Sequence, residues 1–319
     1  HTDWVSQRTK SWLGTQSSDK PWFCWMSFPD PHHPWDIPAS ELHRINWKDV
    51  PLPRLYSENR SQLESWLNEK PAHWRGYFDG SLWTNLESPR EFVPADMTAD
   101  QVREINAMTH IENELIDEAV GDVIGFLHSK QWMKNTDIFF TTDHGELQGD
   151  FGLLFKGPYH VDALMHLPFI WKPAEAANIS PAEVASPVGH VDLASTFCAI
   201  AGISPPDYCE GKPLPTSEDE AVQQEREIVI TEWDSEHGPI DMHLKSIYHR
   251  DGFLCTAYEK SHLYDGTEGE LYNMKEDPDQ LRNLWSDPGY AVHRTELTDR
   301  LYASLPEETI EKLPRKAPV

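Results

Sequence analysis

The stretch Phe139–His160, FFTTDHGELQGDFGLLFKGPYH, packs three acidic side chains, two histidines, a lysine and four glycines behind a short apolar run. The apolar residues before it, Asp137–Thr142 (DIFFTT), have the length and β-branched or aromatic content of a buried strand. In open α/β sheets, ligands gather beyond the carboxyl ends of the strands, and Asp143 and His144 fall at such an end. A carboxylate oxygen and an imidazole nitrogen suit a divalent cation. Lys156 adds a fixed positive charge thirteen residues past Asp143. Taken alone, the Asp-His pair is equally readable as a turn cap with a histidine packed beside it.

Working outward, Pro21–Phe28 (PWFCWMSF) reads as a second strand, apolar enough to be buried on both faces. Thr98 has the chemistry of an N-cap, and Val102, Ile105, Met108, Ile111, Leu115, Ala119, Val123 and Phe126 follow at helical spacing toward Lys130. Leu167–Trp171 predicts another strand, and Val191–Ala201 a helix stopped by Gly202. This alternation predicts an α/β fold with a mostly parallel sheet flanked by helices. Residues 34–97 read as a long excursion with a helix around Ser61–Lys70. Residues 203–225 read as a Pro- and Glu-rich linker. Beyond it, Glu227–Glu232, His243–His249 and Phe253–Tyr258 predict a small antiparallel sheet, with a turn at Arg250–Gly252 and a closing helix near Tyr290–Ser304. The predicted division is 1–222 for the α/β part and 223–319 for a small C-terminal α+β subdomain.

The chain has 319 residues and a formal charge of −26. That charge argues against nucleic acid as a partner, because phosphate backbones are bound by Lys and Arg. It is compatible with a small anionic substrate held by a metal and a few cations. No run of apolar residues is long enough to span a bilayer, and no signal peptide is recognisable. The four cysteines form no CxxC pair. Cys24 and Cys198 look like small buried hydrophobes, and Cys209 and Cys255 are open to pairing.

These segments together resemble the sulfatases and the related phosphonate monoester and phosphodiester hydrolases of the alkaline phosphatase superfamily. The resemblance rests on Asp143-His144-Gly145-Glu146, Gly149, Gly152 and Lys156-Gly157. It rests also on SFPDPHHPW after the first strand, on GHVDLASTFCAIAGI at 189–203, and on ELYNMKEDPDQLRNL at 270–284. It implies an alkaline-phosphatase-like α/β fold and hydrolysis of a small anionic ester. Asp143 and His144 would be metal ligands, for calcium first, with manganese, magnesium or zinc as alternatives. Lys156 would contact the sulfuryl or phosphoryl oxygens. His32, the histidine matching P-H-x-P, would bind substrate or protonate the leaving oxygen. His33, Tyr159 and His160 are secondary candidates for substrate binding, and Glu146 for orienting its neighbours. The expectation is that His32, Asp143, His144 and Lys156 converge.

The resemblance is incomplete. The family's C-x-P-x-R or S-x-P-x-R nucleophile motif, whose cysteine matures to formylglycine, is absent, and the serine of SPR at 88–90 has the wrong spacing. A further acidic pair expected at the first strand of the fold is missing too. The chain therefore reads as the C-terminal part of such an enzyme, lacking N-terminal strands and inactive alone. Homo-oligomerisation is left open, as is a cytoplasmic or periplasmic location. A phosphonate monoester or phosphodiester hydrolase, or a non-catalytic subunit of the same fold, stands beside the sulfatase reading.

Overall fold

The computed structural model describes residues 1–17, 19–82, 92–237 and 240–305; the SPR tripeptide at 88–90 lies outside them. The helices are α1 (Thr2–Leu13), α2 (Arg60–Leu67), α3 (Ala72–Phe78), α4 (Ala99–Ser129), α5 (Asp162–Met165), α6 (Val191–Ala201), α7 (Glu218–Gln223) and α8 (Ala291–Ser304). The strands are β1 (Ile138–Thr141), β2 (Phe169–Lys172), β3 (Ile228–His237), β4 (Ile240–His249), β5 (Phe253–Tyr258) and β6 (Gly269–Asn273). These pack as two compact units. One comprises His1–Glu58, Asp96–Phe155 and Leu167–Ile179. The other comprises residues 59–95, 156–166 and those from Ser180 onward.

In the first unit, α4 is the long central element. Thr98 caps it as expected: its hydroxyl accepts from the Gln101 amide, and the Gln101 side chain accepts from the Thr98 amide, a reciprocal box that satisfies two otherwise orphaned donors. Its apolar stripe buries Val123 and Leu127 against Leu13 of α1 and Met133, with Trp22, Met26 and Ile138 around them. β1 and β2 pair antiparallel, Phe139 opposite Trp171, so the two strands present do not form the parallel arrangement read from the sequence. The α/β class itself holds.

Pro21–Phe28 is a clear correction. It belongs to no strand among the described residues, and its side chains alternate between half-buried and exposed. Trp22 and Met26 face the core, whereas Phe23 is 60% and Trp25 73% exposed. An apolar run becomes a doubly buried strand only with a neighbour on each edge and cover on each face. Here it has cover on one face alone.

In the second unit, β3-β4-β5-β6 form an antiparallel sheet in sequence order. Gly252 turns the β4–β5 hairpin at φ +97°, a conformation that favours glycine. Its core is Ile247, Cys255, Ala257, Leu271, Leu284, Leu297 and Leu301, the last two supplied by α8. β6, inside the family-like segment 270–284, is an element the sequence reading did not foresee. Gly202 ends α6 in the left-handed region, as its position predicts. The presumed linker is tied down: Arg226 and Asp192 form a buried ion pair at 2.7 Å across it, and the Glu218 carboxylate accepts from Ser186. All four cysteines are free, so Cys209 and Cys255 do not pair. Among the described residues, no helix is long and apolar enough to cross a membrane.

Candidate functional site

The loop that follows β1 begins with the Asp-His pair. The Asp143 carboxylate accepts from the His144 amide at 3.0 Å and from the Thr142 hydroxyl at 3.2 Å. His144 Nε2 lies 3.6 Å from the same carboxylate, while His144 Nδ1 meets the Gly145 carbonyl at 2.8 Å. Burial raises the Asp143 carboxyl, but the His144 charge and the donated hydrogen bonds outweigh it and hold it below the ordinary range. The carboxylate stays largely exposed.

From Gln148 to Phe155 the backbone is unusual. Gln148, Gly149, Phe151, Gly152 and Phe155 all have positive φ. Only Gly149 and Gly152 suit that region freely, so the loop stores strain and survives because its surroundings dictate its path. At Gly149 (φ +109°) a Cβ would also come within 2.7 Å of Val102 and 3.1 Å of Pro53. Hydrogen bonds fix the loop: Gly149 N to Leu153 O at 2.8 Å, Phe151 N to Leu55 O at 2.9 Å, and Asn106 Nδ2 to Gln148 O at 2.9 Å. Phe151, Leu153, Leu154 and Phe155 are buried and anchor it by packing.

The SFPDPHHPW turn meets this loop at its far end. His33 packs edge-on against Phe155 with centroids 4.6 Å apart, and Trp35 stacks on Phe155 at 5.7 Å. His32 stacks on His33 at 4.1 Å, and its Nδ1 meets the His33 carbonyl at 2.6 Å. The two histidines sit between cis bonds at Asp30–Pro31 and His33–Pro34. The structure thus brings the histidine turn beside the residue that precedes Lys156. His33 serves as the packing residue, leaving His32 as the outer histidine.

Below this turn lies a group that sequence reading missed. Glu112, on α4, is only 4% exposed and its Oε2 has no hydrogen-bond partner among the described residues. Burial, with the Asp30 and Asp36 charges adding to it, pushes its carboxyl up to about 8. Its position on the buried face of a helix, 76 or more residues away in sequence from Asp30 and Asp36, whose charges reach it, left no signal to find it by.

Tyr159 and His160 turn inward in the second unit, at 1% and 4% exposure. The Tyr159 ring stacks on His73 at 5.1 Å and meets Trp74 edge-on at 4.6 Å. His160 Nδ1 meets the Ser246 hydroxyl at 2.6 Å. Burial lowers the His160 imidazole to about 4, which keeps it neutral at physiological pH. Lys156 itself is half-buried.

No cluster of three or more His, Cys, Asp or Glu suited to a metal occurs among the described residues. Asp143 and His144 offer one oxygen and one nitrogen, whereas hard cations take about six donors or more. The donors present therefore do not amount to a complete cation site.

Comparison with known proteins supplies the wider frame. A family model described as Sulfatase matches residues 1–203, and one described as N-sulphoglucosamine sulphohydrolase, C-terminal, matches residues 149–307. The chain is 28% identical over 299 residues to an uncharacterized sulfatase, YidJ, of Escherichia coli, covering 93% of this chain and 54% of that protein. It is 26% identical over 247 residues to a Delta 4,5-hexuronate-2-O-sulfatase of Bacteroides thetaiotaomicron, covering 71% of this chain and 49% of that one. In fold it is similar to the phosphonate monoester hydrolase of Agrobacterium radiobacter, with TM-score 0.77, 22% identity, and 95% and 60% of the two chains covered. The chain spans about half the length of the curated relatives it matches. With the Sulfatase model matching residues 1–203, well over half of the chain, the chain belongs to the sulfatase family.

Proposed function

We propose that this chain forms part of a sulfuric ester hydrolase, contributing the leaving-group and charge-stabilising side of the site. The Asp-His pair at the end of β1, inside the family match, carries the reading. Asp143 and His144 would supply two ligands of a divalent-cation site, calcium by preference, completed by donors outside this chain. Such a cation would neutralise charge on the ester oxygens. Lys156 would hold a non-bridging oxygen as charge develops. His32, packed on His33, would donate a proton to the departing alkoxide or hydrogen-bond the ester. No residue here is a candidate covalent nucleophile, so a formylglycine would have to come from elsewhere in a longer protein, and this chain alone would not turn over. Residues 1–222 would then be the C-terminal part of the catalytic α/β domain, and 223–319 a small C-terminal α+β subdomain.

A second reading, phosphonate monoester or phosphodiester hydrolysis, is favoured by the fold neighbour, since both esters present tetrahedral anions. The test is hydrolysis of nitrophenyl sulfate and nitrophenyl phosphonate by the longer protein containing this chain, with and without chelator. Chelator-sensitive turnover of the sulfate supports the first reading, and preference for the phosphonate the second. No turnover of either by a folded protein that carries the nucleophile motif overturns both and points to a non-catalytic subunit.

A further inference from the structure

The residues after Lys156 are held with unusual completeness. His73, on α3, is fully buried. Its Nδ1 meets the Tyr264 hydroxyl at 2.7 Å, and its Nε2 meets the Pro158 carbonyl at 2.9 Å. The same hydroxyl accepts from the His73 backbone N–H at 3.0 Å. Tyr264 has a single proton, which it donates to Nδ1, so Nε2 must carry the ring proton and donate it to Pro158. The tautomer is therefore set by the network. Burial lowers the imidazole to about 3, so it stays neutral across the physiological range.

Around that bond everything else is fixed as well. The Tyr159 ring lies nearly parallel to His73, at 14°. A Cβ at Gly157 would come within 2.9 Å of the Tyr159 ring, so the glycine lets the chain fold over it. The Tyr159 amide donates to the Gly157 carbonyl at 2.7 Å. His160 is tied to Ser246, and the Asp162 amide donates to the Gln280 side chain at 2.8 Å.

We propose that His73 is a positioning residue for Lys156: by gripping the Pro158 carbonyl it sets where the lysine's backbone, and hence its ammonium, is presented. This rests on the reading of Lys156 as the charge-stabilising cation. A histidine buried with both ring nitrogens engaged is more than packing requires, because a phenylalanine would fill the same space without a polar cost. What it adds is a directional hold two residues from the lysine. A displacement of about 1 Å at such a group costs on the order of a hundredfold in rate.

The experiment is a double-mutant cycle in the longer protein containing this chain. His73→Phe keeps the stacking on Tyr159 and removes both hydrogen bonds. It should lower kcat by ~10- to 100-fold with KM little changed, and His73→Gln, which retains a donor toward Pro158, should recover most of it. In a Lys156→Ala background, His73→Phe should change kcat by less than about twofold. Equal losses in both backgrounds would mean that His73 acts elsewhere, and overturn the proposal. Tyr264→Phe, which removes the hydroxyl that braces the His73 ring and backbone without emptying space, gives the same comparison if His73→Phe does not fold. Amide exchange separates the two layers of the argument. If Lys156→Ala leaves turnover intact, the functional reading fails. The grip itself is then judged by whether His73→Phe or Tyr264→Phe speeds exchange at Tyr159 and His160, and unchanged exchange rejects it.

Discussion

The ammonium of Lys70 lies 4.0 Å from the carboxylate of Glu270, with both side chains sealed from solvent. The pair is bridged: Lys70 Nζ donates to the Tyr272 hydroxyl at 2.9 Å, which donates to Glu270 at 2.6 Å. Tyr258 donates to the other carboxylate oxygen, and the Gln280 backbone carbonyl accepts a second hydrogen bond from the lysine. Burial lowers Lys70 to about 8, with the Glu270 charge opposing it. Removing one member strands the other. Glu270→Ala should cost about 3–5 kcal/mol of stability, and Glu270→Gln, which keeps hydrogen-bonding capacity, distinctly less. Urea unfolding of the two variants checks the order.

Acid should unfold the second unit through its histidines. Burial lowers His73 to about 3 and His160 to about 4, from 6.5 in the unfolded chain. With folded values depressed, the unfolded chain binds more protons, so their stabilisation is complete above pH 6.5 and is lost as pH falls toward 4 and 3. Each should cost roughly 2 kcal/mol by pH 5. His160→Asn should shallow the decline of Tm between pH 6.5 and 4.

Glu112 has the opposite sign. Its folded value is raised to about 8 from 4.5, so the folded chain holds a proton that the unfolded chain has released. Its contribution is complete below pH 4.5 and is lost as pH rises through about 8. Glu112→Gln should keep the neutral form at every pH and flatten that loss. Melting curves from pH 5 to 9 for both proteins would show it, and parallel curves would disprove the protonated carboxyl.

For the proposed chemistry, Lys156→Ala in the longer protein should lower turnover by roughly a hundredfold or more, the scale of losing one pre-organised charge-stabilising donor. Asp143→Ala should reduce both metal occupancy and rate, measured by metal analysis beside the ester assay. Normal metal content in Asp143→Ala would remove it from the ligand set.

Much of this was legible in the sequence where local rules suffice. Thr98 announced the start of α4, Gly202 the end of α6, and the hydrophobic runs three of the four strands of the C-terminal sheet, β6 excepted. Family likeness, not physics, singled out Asp143, His144, Lys156 and His32, since an Asp-His pair after a strand is chemically ambiguous. What stayed hidden depends on long-range packing. Pro21–Phe28 has strand composition but joins no strand among the described residues. His73 and Glu112 matter because of residues that reach them from elsewhere in their units. Tyr159 and His160 sit beside the lysine in sequence yet point into the core, because an alternation of direction cannot be read from neighbouring letters alone.

The half-covered segment Pro21–Phe28 also bears on how the molecule behaves in a tube. Phe23 and Trp25 are largely exposed to solvent, and Phe140 and Ile170 are exposed on the short two-stranded sheet of the same unit. Large apolar side chains exposed together on one surface favour self-adhesion. The charge of −26 opposes it by keeping copies apart. Salt weakens that repulsion, the screening length falling to about 3 Å at 1 M, while leaving the aromatics as sticky as before. Colloidal stability of this chain therefore becomes a matter of ionic strength, with clear solutions in dilute buffer and turbidity in concentrated salt.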